Sequence, residues 1–455
     1  MFVQGSPTSD RSMIVGFFFV SLTLLRCDAA IRPEIFKSTA NADDQLVLVQ
    51  SLWRHDNNTW PQGWGQLTLT GMKQHYYLGQ RLKKEIHHRF KVYSVEIQSS
   101  RGFGLCVYIR STDLNRTLQS AMSNLVGFFD RGTEGVDYPK DLDSWPTGYV
   151  PIPIHTVDDD FDYLINPDRY CPRSNAIRKF LMDCDDIRSI VEQHKDLLDK
   201  LTKISGMETT IWNMWEIYDS WYIDRLYGKP LPPEFTDELF ANVTKLNNIM
   251  EDVIYGIGVK TCKGLDIRNE LTKLRGGPLI WSIIEHMQQK RFCINTPVDK
   301  RDTKAKQLCK WMDKLKYFVY SAHDSTIAAL FSTLGFNETN FDEPGFPHYS
   351  ACVTVELWKS ANGYYVKVFY WVPPSEAIKN RTHKEDVTID LTSKIVDCTD
   401  KCDLDQFSKR SEPYKLSTTP QKLCDDTNLP PNSMATGKSI FLSAILLSLL
   451  TLIWL

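Results

Sequence analysis

Arg54 and His55 stand side by side in QSLWRHDNN, a permanent cation next to an imidazole. An imidazole can attack phosphorus, and an adjacent guanidinium can bind the oxygens of the transferred group. Taken alone, such a dipeptide is more often a structural or surface feature. A second cation, Arg110, opens RSTDLNRT. Arg at a strand end, followed by Ser-Thr-Asp at a helix start, makes a cradle for an oxyanion. An ordinary helix start with an exposed Arg has the same letters. Asp113 and Arg116 read there as a helix-start acid and a local partner. The third pair is His323-Asp324 in YFVYSAHDSTIAALFSTLGF. A carboxylic acid at that place can protonate a leaving alkoxide while the histidine holds phosphate. A capping Asp beside a histidine is the plainer reading. Together the three segments offer a nucleophile, cations and an acid.

The elements that must position these residues share one grammar. Gln45–Trp53 is an apolar, β-rich run and reads as a buried strand. After a polar loop, Met72, Tyr76, Gly79, Leu82, Ile86 and Phe90 recur at helical spacing, with Thr70 as the cap. Val107–Ile109 is a short strand feeding a stripe of Leu114, Leu118, Met122, Leu125 and Phe129. Tyr317–Ser321 is a third strand, followed by a helix that stops near Gly335. Each segment places polar residues between strand and helix, the edge where open α/β sheets bind ligands. From about Asp158 to Lys290 the pattern is helical and includes Trp212, Trp215 and Trp221. That stretch reads as a mainly helical subdomain inserted into the α/β domain. Ser350–Trp358 and Gly363–Trp371 alternate like a strand pair turning at Ala361-Asn362-Gly363.

Composition narrows the class. The 455 residues are 42% hydrophobic, enough for a large core as one domain or two intimate ones. A net charge of −3 argues against nucleic acid or other polyanions as partners. Met13–Leu25 (MIVGFFFVSLTLL), between Arg11 and the small Ala29 and Ala30, has the layout of a secretory signal peptide over residues 1–29. Ser439–Leu455 is apolar and reads as a single-pass anchor, with a lipid-anchor signal as the alternative. Residues 429–438 form the linker before it, and 30–428 the ectodomain. Eleven cysteines fit an oxidising compartment. Cys398 and Cys402 are close enough for a local bridge. Sequons at Asn57, Asn242, Asn337 and Asn380 agree with a secretory route, while Asn115 falls within the helix after Arg110.

Longer motifs carry a resemblance. WPQGWGQLTLTGMKQHYYLGQRL, YIRSTDLNRTLQSAMSNL, PIPIHT (Pro151–Thr156), LRGGPLI (Leu274–Ile280) and YSAHDSTIAAL resemble the histidine acid phosphatases, the branch of prostatic and lysosomal acid phosphatases and nematode relatives. The likeness runs from about Ile31 to Cys424. It implies a phosphoglycerate-mutase-like open sheet flanked by helices, with an inserted helical subdomain. It implies phosphomonoester hydrolysis with His55 as nucleophile, Asp324 as proton donor, and Arg54, Arg110 and His323 binding the phosphoryl group. No metal or other cofactor is implied, because arginines supply the positive charge. It further implies bridges Cys171–Cys424 and Cys398–Cys402, and a homodimer. Cys352 has no family partner at the matching place, and Cys184, Cys262, Cys293 and Cys309 stay unordered. The implied location is the cell surface or a lysosome-like compartment, as a type I membrane protein.

The chain departs from the family's Arg-His-Gly-x-Arg-x-Pro motif. Asp56 stands at the Gly position, Asn58 at the second Arg, and the loop before WPQGWG is missing. A lost arginine removes a charge-assisted contact of ~1.5–3 kcal/mol. QSSRGFGLC, near Gln98–Cys106, looks inserted before the YIRST strand. Real divergence and misjoined exons give the same letters. The expectation is weak or absent turnover by this exact chain, restored if the loop is returned. The competing expectation is a catalytically weak or inactive, membrane-tethered relative that serves as a binding or surface module.

Overall fold

The computed structural model describes residues 44–55, 65–90, 107–130, 132–259, 261–341, 345–372 and 387–429. The expected signal peptide and anchor, Cys27, Asp56, Asn57, Asn58, Cys106 and Asn380 lie outside the described residues. Among the described residues no helix is long and apolar enough to cross a membrane.

Strand β1 (Gln45–Arg54) is buried on both faces. A register shift between Leu46 and Leu48 interrupts its alternation once. From there Leu48 and Leu52 enter one core while Val49 and Trp53 enter the other. Two-sided burial is what a strand covered by helices requires. Helix α1 (Leu69–Phe90) follows, and its first turn is held by Thr68 rather than the expected Thr70: Gly71 N donates to Thr68 Oγ1 at 2.8 Å. Then come β2 (Val107–Ser111), α2 (Asn115–Phe128) and the short β3 (Ile154–His155).

The helical stretch holds α3 (Pro172–Leu181), α4 (Asp185–Gln193), α5 (Lys195–Ser205), α6 (Met214–Leu226) and α7 (Asp237–Ile254). Ile177, Leu201, Met214, Val243 and Leu246 belong to a core of its own. A small hairpin, β4 (Thr261–Cys262) and β5 (Leu265–Asp266), leads into α8 (Ile267–Asn295) and α9 (Thr303–Met312). The chain returns to the sheet with β6 (Tyr317–Ala322), followed by α10 (Asp324–Thr333). It ends with β7 (Cys352–Ser360), β8 (Gly363–Val372), β9 (Val387–Asp390), β10 (Cys402–Asp403), α11 (Leu404–Arg410) and α12 (Pro420–Asp425).

The main sheet runs β10-β8-β7-β1-β6-β2-β3, with β9 also on β8. Strands β1, β6, β2 and β3 are parallel. Strands β7 to β10 pair antiparallel along the other half. This is an α/β fold with a central sheet flanked by helices. Arg54 pairs with Ala322 and Ser111 with Ser321, so the carboxyl ends of β1, β6 and β2 are level.

Close helix crossings fix that edge. A Cβ on Gly79 in α1 would lie 2.0 Å from Asn124 O, and one on Gly127 in α2 would lie 2.0 Å from Tyr76 O. Only glycine lets the two backbones approach this far. Among the described residues, four disulfides join Cys171 to Cys424, Cys184 to Cys262, Cys293 to Cys309 and Cys398 to Cys402. Cys352 is a buried free thiol.

Candidate active site

Three strand ends deliver the candidate residues to one place. Arg54 is the last residue of β1 and His55 follows it. Arg110 is the penultimate residue of β2, and His323 and Asp324 follow β6. The ends are tied together behind the site. Trp53 Nε1 donates to Ser321 Oγ at 2.9 Å, and Ser321 Oγ donates to Thr117 O at 2.8 Å. One indole and one hydroxyl thus connect β1, β6 and α2.

His55 is 6% exposed and His323 7%. His55 Nε2 lies 3.0 Å from His323 Nδ1, with the rings edge to face. His323 Nε2 lies 3.1 Å from Thr112 Oγ1. Which ring nitrogen carries each proton depends on the tautomer. Burial lowers the His323 pKa to about 4, helped by Arg116 and Arg54 and opposed by Asp324 and Asp168. His323 is therefore a neutral imidazole at mildly acidic pH, able to donate at one nitrogen and accept at the other.

Arg54 is held on three sides. Its Nη2 meets Asp324 Oδ2 at 3.0 Å, Nη1 donates to Pro347 O, and the guanidinium lies 4.3 Å over the Tyr349 ring. Burial opposes its charge, but Asp324, Tyr349, Asp219 and Tyr222 together outweigh this and raise its pKa. Asp324 Oδ1 also accepts from Ser325 N at 2.7 Å, at the start of α10. Arg110 pairs with the buried Asp162 at 2.7 Å and donates to Ser111 O. Burial raises the Asp162 pKa, with Arg110 opposing it. A carboxyl group thus already faces each of the two expected phosphate-binding arginines.

The sequence reading missed Arg116. It sits in the first turn of α2 and donates from Nε to His55 Nε2 at 3.0 Å. It also donates from Nη1 to Gly65 O at 3.4 Å. A helical side chain covers the turn N-terminal to its own Cα, which here is the strand end. The signal available was membership of the RSTDLNR motif; helical spacing carries none. Asp162, Tyr349 and Asp219 come from segments with no motif.

Asn242 on α7 and Asn337 are exposed, and Asn337 Oδ1 accepts from Arg268 at 2.7 Å. Asn115 is exposed as the first residue of α2. Among the described residues, Cys293, Cys309 and Asp313 lie close enough to be candidate metal ligands. The two cysteines are bonded to each other, and metal binding needs thiolate.

The family model of the histidine phosphatase superfamily (branch 2) matches residues 23–371. Over 356 residues the chain is 29% identical to prostatic acid phosphatase of Homo sapiens, covering 77% of each protein. It is 28% identical to lysosomal acid phosphatase of Bos taurus over 361 residues, 79% of this chain and 72% of that relative. Its fold is similar to the phytase of Citrobacter braakii, with a TM-score of 0.54 and 15% identity over 84% of this chain and 99% of that one. It is also similar to Hafnia alvei phytase in complex with tartrate, with a TM-score of 0.56 and 14% identity over 86% and 100%. The matched stretch contains all three strand ends and every residue gathered at them, and the chain belongs to the histidine phosphatase superfamily, branch 2.

Proposed function

We propose that the chain is an acid phosphatase that hydrolyses phosphomonoesters through a phosphohistidine at His55. The observation that carries this reading is the pairing at the sheet edge. His55 Nε2 is 3.0 Å from His323, and the adjacent Arg54 is 3.0 Å from Asp324. In the first step the Nε2 lone pair forms a bond to phosphorus as the ester P–O bond breaks. The Asp324 carboxylic acid gives its proton to the leaving alkoxide. In the second step water attacks phosphorus, the P–N bond breaks, and Asp324 carboxylate takes the water's proton. Arg54 and Arg110 neutralise charge on the transferred oxygens, and His323 hydrogen-bonds one of them. Because Asp324 must be protonated for the first step, the rate is greatest at acidic pH.

The disulfides and the acid phosphatase relatives fit the secretory pathway. A single-pass anchor at Ser439–Leu455, or a lipid anchor in its place, would keep the enzyme on a membrane. The experiment is turnover of a generic aryl phosphate by the purified ectodomain at mildly acidic pH, with His55→Ala as control. Weak turnover that disappears in His55→Ala, and rises when the missing loop is returned after His55, is expected. Activity unchanged in His55→Ala overturns the mechanism. Full activity without the loop overturns the impairment.

A second reading, a catalytically weak or inactive relative acting as a binding or surface module, draws on one observation. Asp162 sits 2.7 Å from Arg110, at the place where a phosphate oxygen would compete for it. In the aryl phosphate assay, His55-dependent turnover that rises with the returned loop supports the first reading, and no His55-dependent turnover with or without the loop supports the second.

A further inference from the structure

Two carboxyl groups meet the arginines at the sheet edge, and they differ in access to water. The Asp324 side chain is 23% exposed and the Asp162 side chain 0%. Asp162 is locked in place. Its Oδ1 accepts from Leu164 N and Ile165 N, each at 3.2 Å, and its Oδ2 meets Arg110 Nη2 at 2.7 Å. Arg110 is equally confined, with Nη1 donating to Ser111 O. Among the described residues, the other cation that acts on Asp162 is Arg169 in its own segment, whose guanidinium lies over the Tyr163 ring. On the β6 side of Arg110 stands the Tyr320 hydroxyl, kept neutral by burial. Asp159, just before Asp162 in the chain, accepts from Asn166 at 2.8 Å. A buried ion pair is stable only while each charge faces the other. A phosphoryl oxygen arriving at Arg110 sets a second anion beside a carboxylate that water cannot screen.

We propose that Asp162 acts through Arg110 as a positioning residue that ties phosphate binding to a proton. Ionised, the carboxylate keeps the guanidinium as its own partner. When phosphate binds, Asp162 takes one proton from solvent, and the charge of Arg110 passes to the phosphoryl oxygens. This rests on the reading that Arg110 meets phosphate. Burial moves the titration of Asp162 upward from the ordinary carboxylate range, against the pull of Arg110. The preference for acid then has two origins. The Asp324 proton enters the chemical step and acts on kcat. The Asp162 proton enters binding and acts on KM.

The test is the affinity of the purified full-length chain for sulfate, by titration calorimetry from about pH 4 to about pH 7, for wild type, Asp162→Asn and Arg110→Gln. Sulfate resembles phosphate and keeps both charges across this range. Asparagine keeps an acceptor for the two backbone N–H groups and cannot ionise. At the neutral end Asp162→Asn is expected to bind sulfate about tenfold or more tighter than wild type, with the two converging at the acidic end. Titration in buffers of different ionisation heat counts the protons, and wild type is expected to take up about one more than either variant. Sulfate binding to wild type with no proton uptake overturns the proposal, whether or not either variant folds. Weaker binding in Asp162→Asn by one constant factor at every pH also overturns it, because that is what a structural brace gives. Proton uptake in Arg110→Gln equal to wild type overturns the route through Arg110. The expected sulfate pattern in a chain that turns over no phosphomonoester sinks the catalytic reading and upholds this one. His55-dependent turnover with wild type and Asp162→Asn binding sulfate within twofold at both ends sinks this proposal alone.

Discussion

Proton transfer at the edge of the sheet rests on single residues. Asp324 has two neighbours that fix it, the Arg54 guanidinium and Ser325 N. As the proposed acid, it acts on the leaving oxygen only when that oxygen is a poor leaving group. Asp324→Asn is therefore expected to slow an alkyl phosphate by about 10²-fold or more. A nitrophenyl phosphate, whose phenolate leaves without a proton, is expected to lose far less. Steady-state kcat for the two substrates checks this, and equal losses would contradict the assignment. The candidate residues at 54, 55, 110, 323 and 324 were legible in the sequence because each sits at a strand end followed by a helix. Arg116 was not, since its value lies in the long-range placement of His55 beside α2. Asp162 was hidden for the same reason: nothing in VDDDFDYL marks which of four acids would reach Arg110.

At the scale of elements, the site depends on two strand–helix units crossing closely. Gly79 and Gly127 each face a backbone carbonyl of the other helix, 2.0 Å from where a Cβ would stand. A backbone atom cannot swing aside, so the helices must separate to admit a methyl group. Gly79→Ala is expected to destabilise the chain by about 1–3 kcal/mol, with turnover falling as the level of β1 and β2 is disturbed. Denaturant unfolding checks the first part, and an unchanged midpoint would contradict the tight crossing. The helix itself was readable from the spacing of its apolar residues, and Gly79 appeared among them as one more apolar position. Its contact was not readable, because a helical pattern shows which face is buried and not what it meets. The strand pair of β7 and β8 followed from alternation, and the structure starts β8 at Gly363 with φ 135°, which leaves Ala361 and Asn362 as the turn.

Across the whole molecule, buried titratable groups act on stability in opposite directions. His323 and His286 have pKa values near 4 because burial disfavours their charge, against an ordinary 6.5. Between those values the unfolded chain takes up protons that the folded chain refuses, so both histidines lower stability as pH falls from about 6.5 to 4. Asp252 is raised by burial from 3.8 to about 6, and Glu251 is raised well above 4.5 by burial, Asp324 and Asp168. There the folded chain keeps protons that the unfolded chain releases, so these acids lower stability as pH rises. Glu251→Gln is expected to raise the melting temperature at pH 7 and to have no such effect below about pH 4. A gain of equal size at both pH values would contradict the buried-acid assignment. That the chain carries disulfides was legible from eleven cysteines, but Cys184–Cys262 and Cys293–Cys309 needed the fold, since spacing leaves several pairings open. The central claim is that phosphate passes through His55. The ectodomain is mixed with a phosphomonoester at mildly acidic pH, quenched in alkali, where a phosphorus–nitrogen bond survives, and its peptides are mapped by mass spectrometry. The account expects phosphate on His55 in the wild-type chain and none in His55→Ala. Product release by His55→Ala at the wild-type rate, with no phosphorylated His55 in the wild-type chain, would contradict it.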